Sequence, residues 1–294
     1  MKVEFLSWVL AQLRARLIEP LAMPPDLVLV RHGESEGNEA NKASYKGDNS
    51  HFTPEFRLRH SSQFRLSPKG RQQALLAGQW IRNEFCQEHG FDRYITSEYV
   101  RAMETAGLLG LPNANWLRDF NLRERDWGEI DVMPPNERKE LYSEQMAKRA
   151  AELFFWKGFS GESMADLCSP RIHTILGTLA RECSNKRVII VCHGEVMWGF
   201  RIMLERIPKE SYLELDASKH PHNSIHNCQV LHYTRRNPET GELMPYPGWV
   251  RSVCPWDMEL SSNGWQKIVR PKFTNEQLLA VVNAYPSLIE RSQE

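Results

Sequence analysis

Two short stretches, "RHG" at residues 31 to 33 and "CHG" at 192 to 194, each place a histidine and a glycine at the end of an apolar run, "LVLV" and "VIIV". One histidine in such a place is ordinary. Two in matched positions suggest a shared crevice, because strands of an open α/β sheet that end at one edge gather residues remote in sequence. The glycines would let a ligand approach the backbone. Arg31 stands beside His32, and Arg101 lies four residues after Ser97, in the first turn of a predicted helix. A cation there is unfavourable unless an anion is near. Guanidinium groups grip phosphate oxygens in pairs and stay charged at any accessible pH. Two arginines and two histidines would neutralise a phosphoryl dianion, and a neutral imidazole among them could take the phosphoryl group covalently. That route also needs an acid to protonate the departing alcohol.

The elements that must position these residues follow from periodicity and capping signals. "DLVLV" (26 to 30), "RYITS" (93 to 97) and "RVIIVCHG" (187 to 194) read as strands, and "NSIHNCQVLHYTR" (223 to 235) alternates like further strands. Ser67 before Pro68 starts a helix over about 68 to 86, and Ser97 is expected to cap "EYVRAMETAGLLG", which ends at Gly110. Helical patterns return over 134 to 156, from Met164 to about Cys183 behind a Ser163/Asp166 capping box, in "EVMWGFRIML", and over 274 to 285. Strands alternating with helices imply a three-layer α/β/α sandwich with a mostly parallel central sheet. The expected organisation is one domain over 1–294 with three additions. These are an amphipathic N-terminal helix (about 3–18, with Val3, Leu6, Val9, Leu10 and Leu13 on one face), a polar insertion (about 39–66) without clear periodicity, expected as a functional lid or a disordered segment, and a C-terminal extension (about 245–294). The extension carries Trp249, Trp256 and Trp265, and its amphipathic end is expected to pack on the domain.

The balance of charge limits the partners. Lys+Arg and Asp+Glu both number 37 in 294 residues, so no global field favours nucleic acid or an anionic membrane. Six scattered cysteines without a C-x-x-C pair read as free thiols of a reducing compartment, hence a cytoplasmic protein. The N-terminal stretch does not read as a cleaved leader, since Glu4 interrupts it; its exposed helix would suit a homodimer.

With "SEYVRAMETA" (97 to 106) and "LRERDWG" (122 to 128) between "RHGES" (31 to 35) and "CHG", the chain resembles the histidine phosphatase superfamily, which includes cofactor-dependent phosphoglycerate mutase. The resemblance runs from about residue 26 to 235. It implies His32 as the phosphorylated nucleophile and Glu124 as the proton donor. Arg31, Arg101 and His193 resemble the phosphate clamp, and Asn38 matches an asparagine that touches phosphate. It implies a phosphomonoesterase acting on a small phosphorylated molecule, with no metal and no further cofactor. Taken by itself, "RERD" (123 to 126) reads as a solvated charge cluster.

The chain departs from the mutase pattern after Glu124. In "DVMPPNERKELYSEQ" (131 to 145) Arg138 and Lys139 form the only basic pair, which weakens a phosphotransferase reading. Lys42, Lys46, Arg57, Arg59 and Arg65 of the insertion are either solvated loop charges or holders of a second negative group on the substrate. His220 and His222 in "KHPHNS" are open to lining the cleft mouth or binding a metal, though an isolated loop pair most often does neither. A metal hydrolase is disfavoured because Arg31 would repel a dication beside His32. A cysteine phosphatase would want arginine six places after Cys192, where Trp198 stands. A non-catalytic binder of phosphorylated ligands remains the third class.

Overall fold

Leu27 to Val30 are fully buried, as are Val188 to Cys192, and these two runs form the centre of the sheet. In a strand alternate side chains face opposite sides, so one sequence run serves two cores. Leu27, Leu29, Val188 and Ile190 face one core, while Val28, Val30, Ile189 and Val191 face the other. A strand buried on both faces needs a helical layer on each side, which is the physical origin of the three layers. Each fully buried Leu, Ile or Val contributes about 1.5–3 kcal/mol relative to exposure.

The computed structural model describes residues 22–289 apart from Glu88, Phe159 and Asn263; the helix expected at about 3–18 lies outside the described residues. In chain order, β1 (Asp26–Arg31) leads to α1 (Glu36–Ser44), α2 (Pro54–Leu58) and the long α3 (Pro68–Phe85). Next come β2 (Arg93–Thr96), α4 (Val100–Leu108), β3 (Trp116–Arg118), α5 (Pro135–Leu141) and α6 (Ser143–Ala151). Short helical turns over Met164–Asp166 and Leu167–Ile172 run into α7 (His173–Glu182). The chain continues through β4 (Arg187–Cys192), α8 (Gly194–Glu205), α9 (Lys209–Ala217) and β5 (Val230–Thr234). It closes with β6 (Trp249–Val253), β7 (Gln266–Lys267) and α10 (Asn275–Asn283).

The seven strands lie in the order β3-β2-β4-β1-β5-β6-β7. The first four are parallel to one another, and β5, β6 and β7 each run antiparallel to the strand before them in that order. Because β5 opposes β1 and β6 opposes β5, β6 runs in the direction of β1. Its C-terminal end therefore reaches the edge where β1, β2 and β4 also end. Small residues let α3 and α4 lie close on their face: Ala74, Ala77, Ala102 and Ala106 are all buried there. Met164, Leu167, Ile172, Ile175, Met197 and Phe200 cover the other.

Three expectations change. Of residues 223 to 235 only Val230–Thr234 form a strand, and all five are buried. The preceding polar alternation belongs to a loop in which Cys228 adopts φ +52. The insertion is not structureless, since Ser35 and Asn38 make a capping box that starts α1 before residue 39. Finally, α10 does not pack on the sheet: every described residue from 271 onward is exposed, Leu278, Leu279 and Val282 included. Helical periodicity identifies an apolar face without identifying what covers it. The earlier part of the extension does pack, with Trp265 4.7 Å from the His232 ring. No helix among the described residues is long and apolar enough to cross a membrane.

Candidate active site

β1 and β4 are paired in parallel with Arg31 opposite Cys192, so the residues that follow, His32 and His193, leave the sheet at the same edge. Their rings meet at 5.1 Å between centroids, edge to face. His32 Nδ1 lies 2.7 Å from the Gly33 carbonyl oxygen. A carbonyl only accepts, so Nδ1 carries the proton and Nε2 keeps its lone pair. Arg101 Nε donates to that Nε2 at 3.1 Å. Burial, then the guanidinium charges of Arg101 and Arg31, hold His32 well below the ordinary histidine pKa of 6.5. His193 is pushed the same way, first by burial and then by Arg101.

The loop after His32 is pinned from α3 and α4. Gly33 N–H donates to Thr105 Oγ1 at 3.0 Å, and Glu34 N–H to Gln73 Oε1 at 2.9 Å. A Cβ on Gly33 would collide with the Gly70 carbonyl, and one on Gly70 with that of Glu34. Gly33 thus serves backbone packing against the start of α3 rather than the approach of a ligand. A Cβ on Gly194 would come within 3.3 Å of Arg31 Nε, so that glycine makes room for the Arg31 side chain.

Arg101, at the second position of α4, is buried and points inward; its Nη1 donates to the Ser61 carbonyl of the insertion at 2.6 Å. Arg31 Nη1 donates to the Ile225 carbonyl at 2.5 Å, and its buried Nε has no protein partner. Neither does the buried Nδ1 of His193, whose Nε2 lies 2.8 Å from Ser97 Oγ. Ser97 is therefore not the cap of α4; Tyr99 occupies that position without a side-chain bond, and the serine hydroxyl goes to His193. Asn38 Oδ1 accepts from Ser35 N–H at 3.2 Å and from Asn227 Nδ2 at 3.1 Å, leaving its NH2 as the donor available to a ligand.

Glu124 reaches the same hollow. Ligand atoms of His32, Glu124 and His193 all lie within 4.8 Å of one another. Burial, then the nearby Glu195, raises the Glu124 carboxyl above its ordinary 4.5, against the opposing pull of Arg101. "RERD" is thus no uniform solvated cluster: Arg125 is almost fully buried, while Asp126 is exposed. The loop that carries Glu124 is held by a buried cation. Arg171 donates to the carbonyls of Asn121 and Arg123 and pairs with Glu162 at 2.5 Å. Glu162 also takes Arg123 at 2.7 Å and the Asp126 N–H at 3.1 Å. Ser163 and Asp166 next to it form the expected capping box. Arg171→Met removes one of three partners of the part-buried Glu162 and the donor to the Asn121 and Arg123 carbonyls, so the unfolding free energy in urea should fall by about 2–3 kcal/mol. A change below about 1 kcal/mol would mean the pair does not hold this loop.

Sequence reading missed a second charged group beside the hollow. Arg125 Nε lies 3.6 Å from Glu195 Oε2, too far for a hydrogen bond, and both atoms are buried without a hydrogen-bond partner. Arg125 and Arg149 sit over Trp127 at 4.3 and 5.2 Å, and Arg149 Nε is also unpaired. Adjacency was the available signal, since Arg125 directly follows Glu124 and Glu195 directly follows "CHG". From the stretch beyond Arg125, Arg149 arrives here, while Arg138 is committed to the Met133 and Asp131 carbonyls. The insertion's arginines are also spoken for: Arg57 grips Glu137 with two bonds, Arg59 lies 3.8 Å from Glu36, and Arg65 bonds Glu104. His222 bonds the Glu259 carbonyl at 2.9 Å, in the C-terminal extension.

Comparison with known proteins identifies the family of the fold. Residues 27–239 match the histidine phosphatase superfamily (branch 1). A chicken (Gallus gallus) 6-phosphofructo-2-kinase/fructose-2,6-bisphosphatase is 30% identical over 202 residues, covering 69% of this chain and 37% of that protein. The chain thus spans little more than a third of the length of the curated relatives it first matches. A 2,3-bisphosphoglycerate-dependent phosphoglycerate mutase of Methylobacterium radiotolerans is 26% identical, over 64% of this chain and 83% of the mutase. A mycobacterial glucosyl-3-phosphoglycerate phosphatase solved with VO3 shares the fold at TM-score 0.55 and 20% identity, over 71% of this chain and 92% of that one. The paired strand ends at His32 and His193 are therefore the edge of a known fold, and the chain belongs to the histidine phosphatase superfamily.

Proposed function

We propose that the chain hydrolyses a phosphomonoester through a phosphohistidine at His32. The observation that carries this reading is the fixed tautomer: Nδ1–H is held by the Gly33 carbonyl, so Nε2 is the nitrogen with the lone pair, and the Arg101 N–H it accepts passes to a phosphoryl oxygen when a phosphoester enters. In the first step Nε2 attacks phosphorus, the bond to the ester oxygen breaks, and Glu124 gives its proton to the departing alcohol. In the second, water gives a proton to the Glu124 carboxylate as its oxygen attacks phosphorus, the N–P bond breaks, and phosphate leaves. Arg31, Arg101, His193 and the Asn38 amide hold the equatorial oxygens, where most of the stabilisation of such a transition state lies. Buried donors without a protein partner, Arg31 Nε above all, are what an anion would satisfy.

The substrate is a small molecule, and Arg125 with Arg149 suits a second acidic group on it. The same pair favours a second reading, transfer of the phosphoryl group to another acceptor as in the mutase relatives. Release of inorganic phosphate, measured across a panel of phosphomonoesters with and without a second acidic group, decides between them. Hydrolysis supports the phosphatase; return of label to a second acceptor supports transfer; binding without turnover leaves a phospholigand-binding protein.

His32, Glu124 and His193 are close enough to share a metal ion. Against that stands the Arg101 N–H already directed at His32 Nε2, with Arg31 adding a second positive charge. Activity should be unchanged by strong chelation, and a loss restored by zinc would replace this mechanism with a metal-assisted one.

A further inference from the structure

The family match ends at residue 239, yet a residue beyond it reaches the catalytic edge. β6 runs in the direction of β1, with Val253 opposite Val230 and Val230 opposite Val30. The turn after β6 therefore arrives where the residues after β1 arrive. It is closed by Asp257 N–H donating to the Cys254 carbonyl at 3.0 Å and fixed by Cys254 N–H donating to Ser261 Oγ at 2.9 Å. From this turn Trp256 Nε1–H donates to the Asn227 carbonyl at 2.6 Å. Asn227 Nδ2 in turn donates to the His32 carbonyl and to Asn38 Oδ1, each at 3.1 Å.

The segment so held would not keep its shape unaided. Cys228, whose N–H also reaches the His32 carbonyl at 3.2 Å, sits at φ +52, a left-handed conformation that costs a residue with a Cβ. Such a conformation persists where neighbouring contacts fix it. Trp256 also touches the other side of the loop after β1: Lys69 Nζ lies 5.5 Å from its ring centroid and 3.8 Å from Glu34 Oε2.

We propose that Trp256 is a positioning residue for the phosphate pocket. Its indole N–H fixes the Asn227 peptide, and the Asn227 side chain then sets the His32 backbone and turns the Asn38 amide toward the ligand. The C-terminal extension is by this account part of the pocket's frame. The inference rests on the reading that the pocket holds a phosphoryl group.

Inorganic phosphate is the probe, with affinity measured by calorimetry and kcat and KM measured on the best phosphomonoester of the panel. Trp256→Phe keeps the ring and deletes the donor. It should weaken phosphate binding by about five- to tenfold, the loss expected of one hydrogen bond. Asn227→Ala should do the same or more, and the double variant should be no worse than Asn227→Ala, because both act along one chain of contacts. Additive losses, or full phosphate affinity in Trp256→Phe, would overturn the proposal. Should Trp256→Phe not fold, the indole 15N–1H resonance of Trp256 in the unmodified protein takes its place. It should shift when phosphate is added and stay still in Asn227→Ala; a resonance that phosphate never moves would overturn the idea equally. Failure of the unmodified protein to bind phosphate would instead sink the phosphatase reading itself.

Discussion

Replacement of His32 by alanine should abolish both turnover and the covalent label left when enzyme is quenched with 32P-labelled substrate. In the unmodified protein that label should be acid-labile and base-stable, as expected of phosphorus on an imidazole nitrogen. The expected loss of kcat is on the order of 10⁴-fold or more, because the proposed attack uses the Nε2 lone pair that the Gly33 carbonyl fixes. Arg31, Arg101 and His193 remain in the variant, so it should still bind inorganic phosphate, which separates a lost nucleophile from a lost fold. A variant that keeps a tenth of the activity would eliminate His32 as nucleophile. Retention of the label with His32 absent would move the chemistry to His193.

The two histidines were legible because sheet geometry amplifies a weak signal. Each follows a run buried on both faces, and parallel pairing of β1 with β4 makes equal positions along the two strands neighbours in space. Arg101 was legible because a cation in a helix's first turn is unfavourable alone. Glu124 came from resemblance, since the alternation of charges in "RERD" carries no information about which side chains turn inward. The same lack of pattern hid Arg125, Arg149 and Glu195: their partners come from three distant segments, and no periodicity links them. Ser97 was misplaced for a related reason. A serine before a helix ordinarily caps it, but here β2 ends at the edge where His193 leaves the sheet and the hydroxyl finds that ring at 2.8 Å. Trp256 was beyond reach, because its placement depends on the direction of β6, which follows from antiparallel pairings that sequence alternation alone does not fix.

Replacement of Glu124 by glutamine should cost about 10²–10⁴-fold in kcat on an alkyl phosphate, the usual worth of a positioned proton donor. The loss should be far smaller on an aryl phosphate such as nitrophenyl phosphate, whose phenolate departs without a proton. Equal losses on both substrates would show that Glu124 does something other than protonate the leaving group. The pH profile follows from the same site. The proposed mechanism requires His32 neutral and Glu124 protonated, and with ordinary pKa values near 6.5 and 4.5 the two forms would not predominate at any common pH. Burial and two guanidinium groups lower His32, so its neutral form extends to more acidic pH; burial and Glu195 raise Glu124, so its protonated form extends to more alkaline pH. The two shifts run toward each other, so each widens the pH range in which both forms coexist. In kcat/KM against pH the acid limb should therefore lie below 6.5 and the alkaline limb above 4.5, with the alkaline limb missing in Glu124→Gln. Glu195→Gln removes the negative charge that disfavours the Glu124 carboxylate, so it should move the alkaline limb to lower pH. A limb that stays in place would mean that Glu195 is electrostatically spent on Arg125 and has no influence on the proton donor.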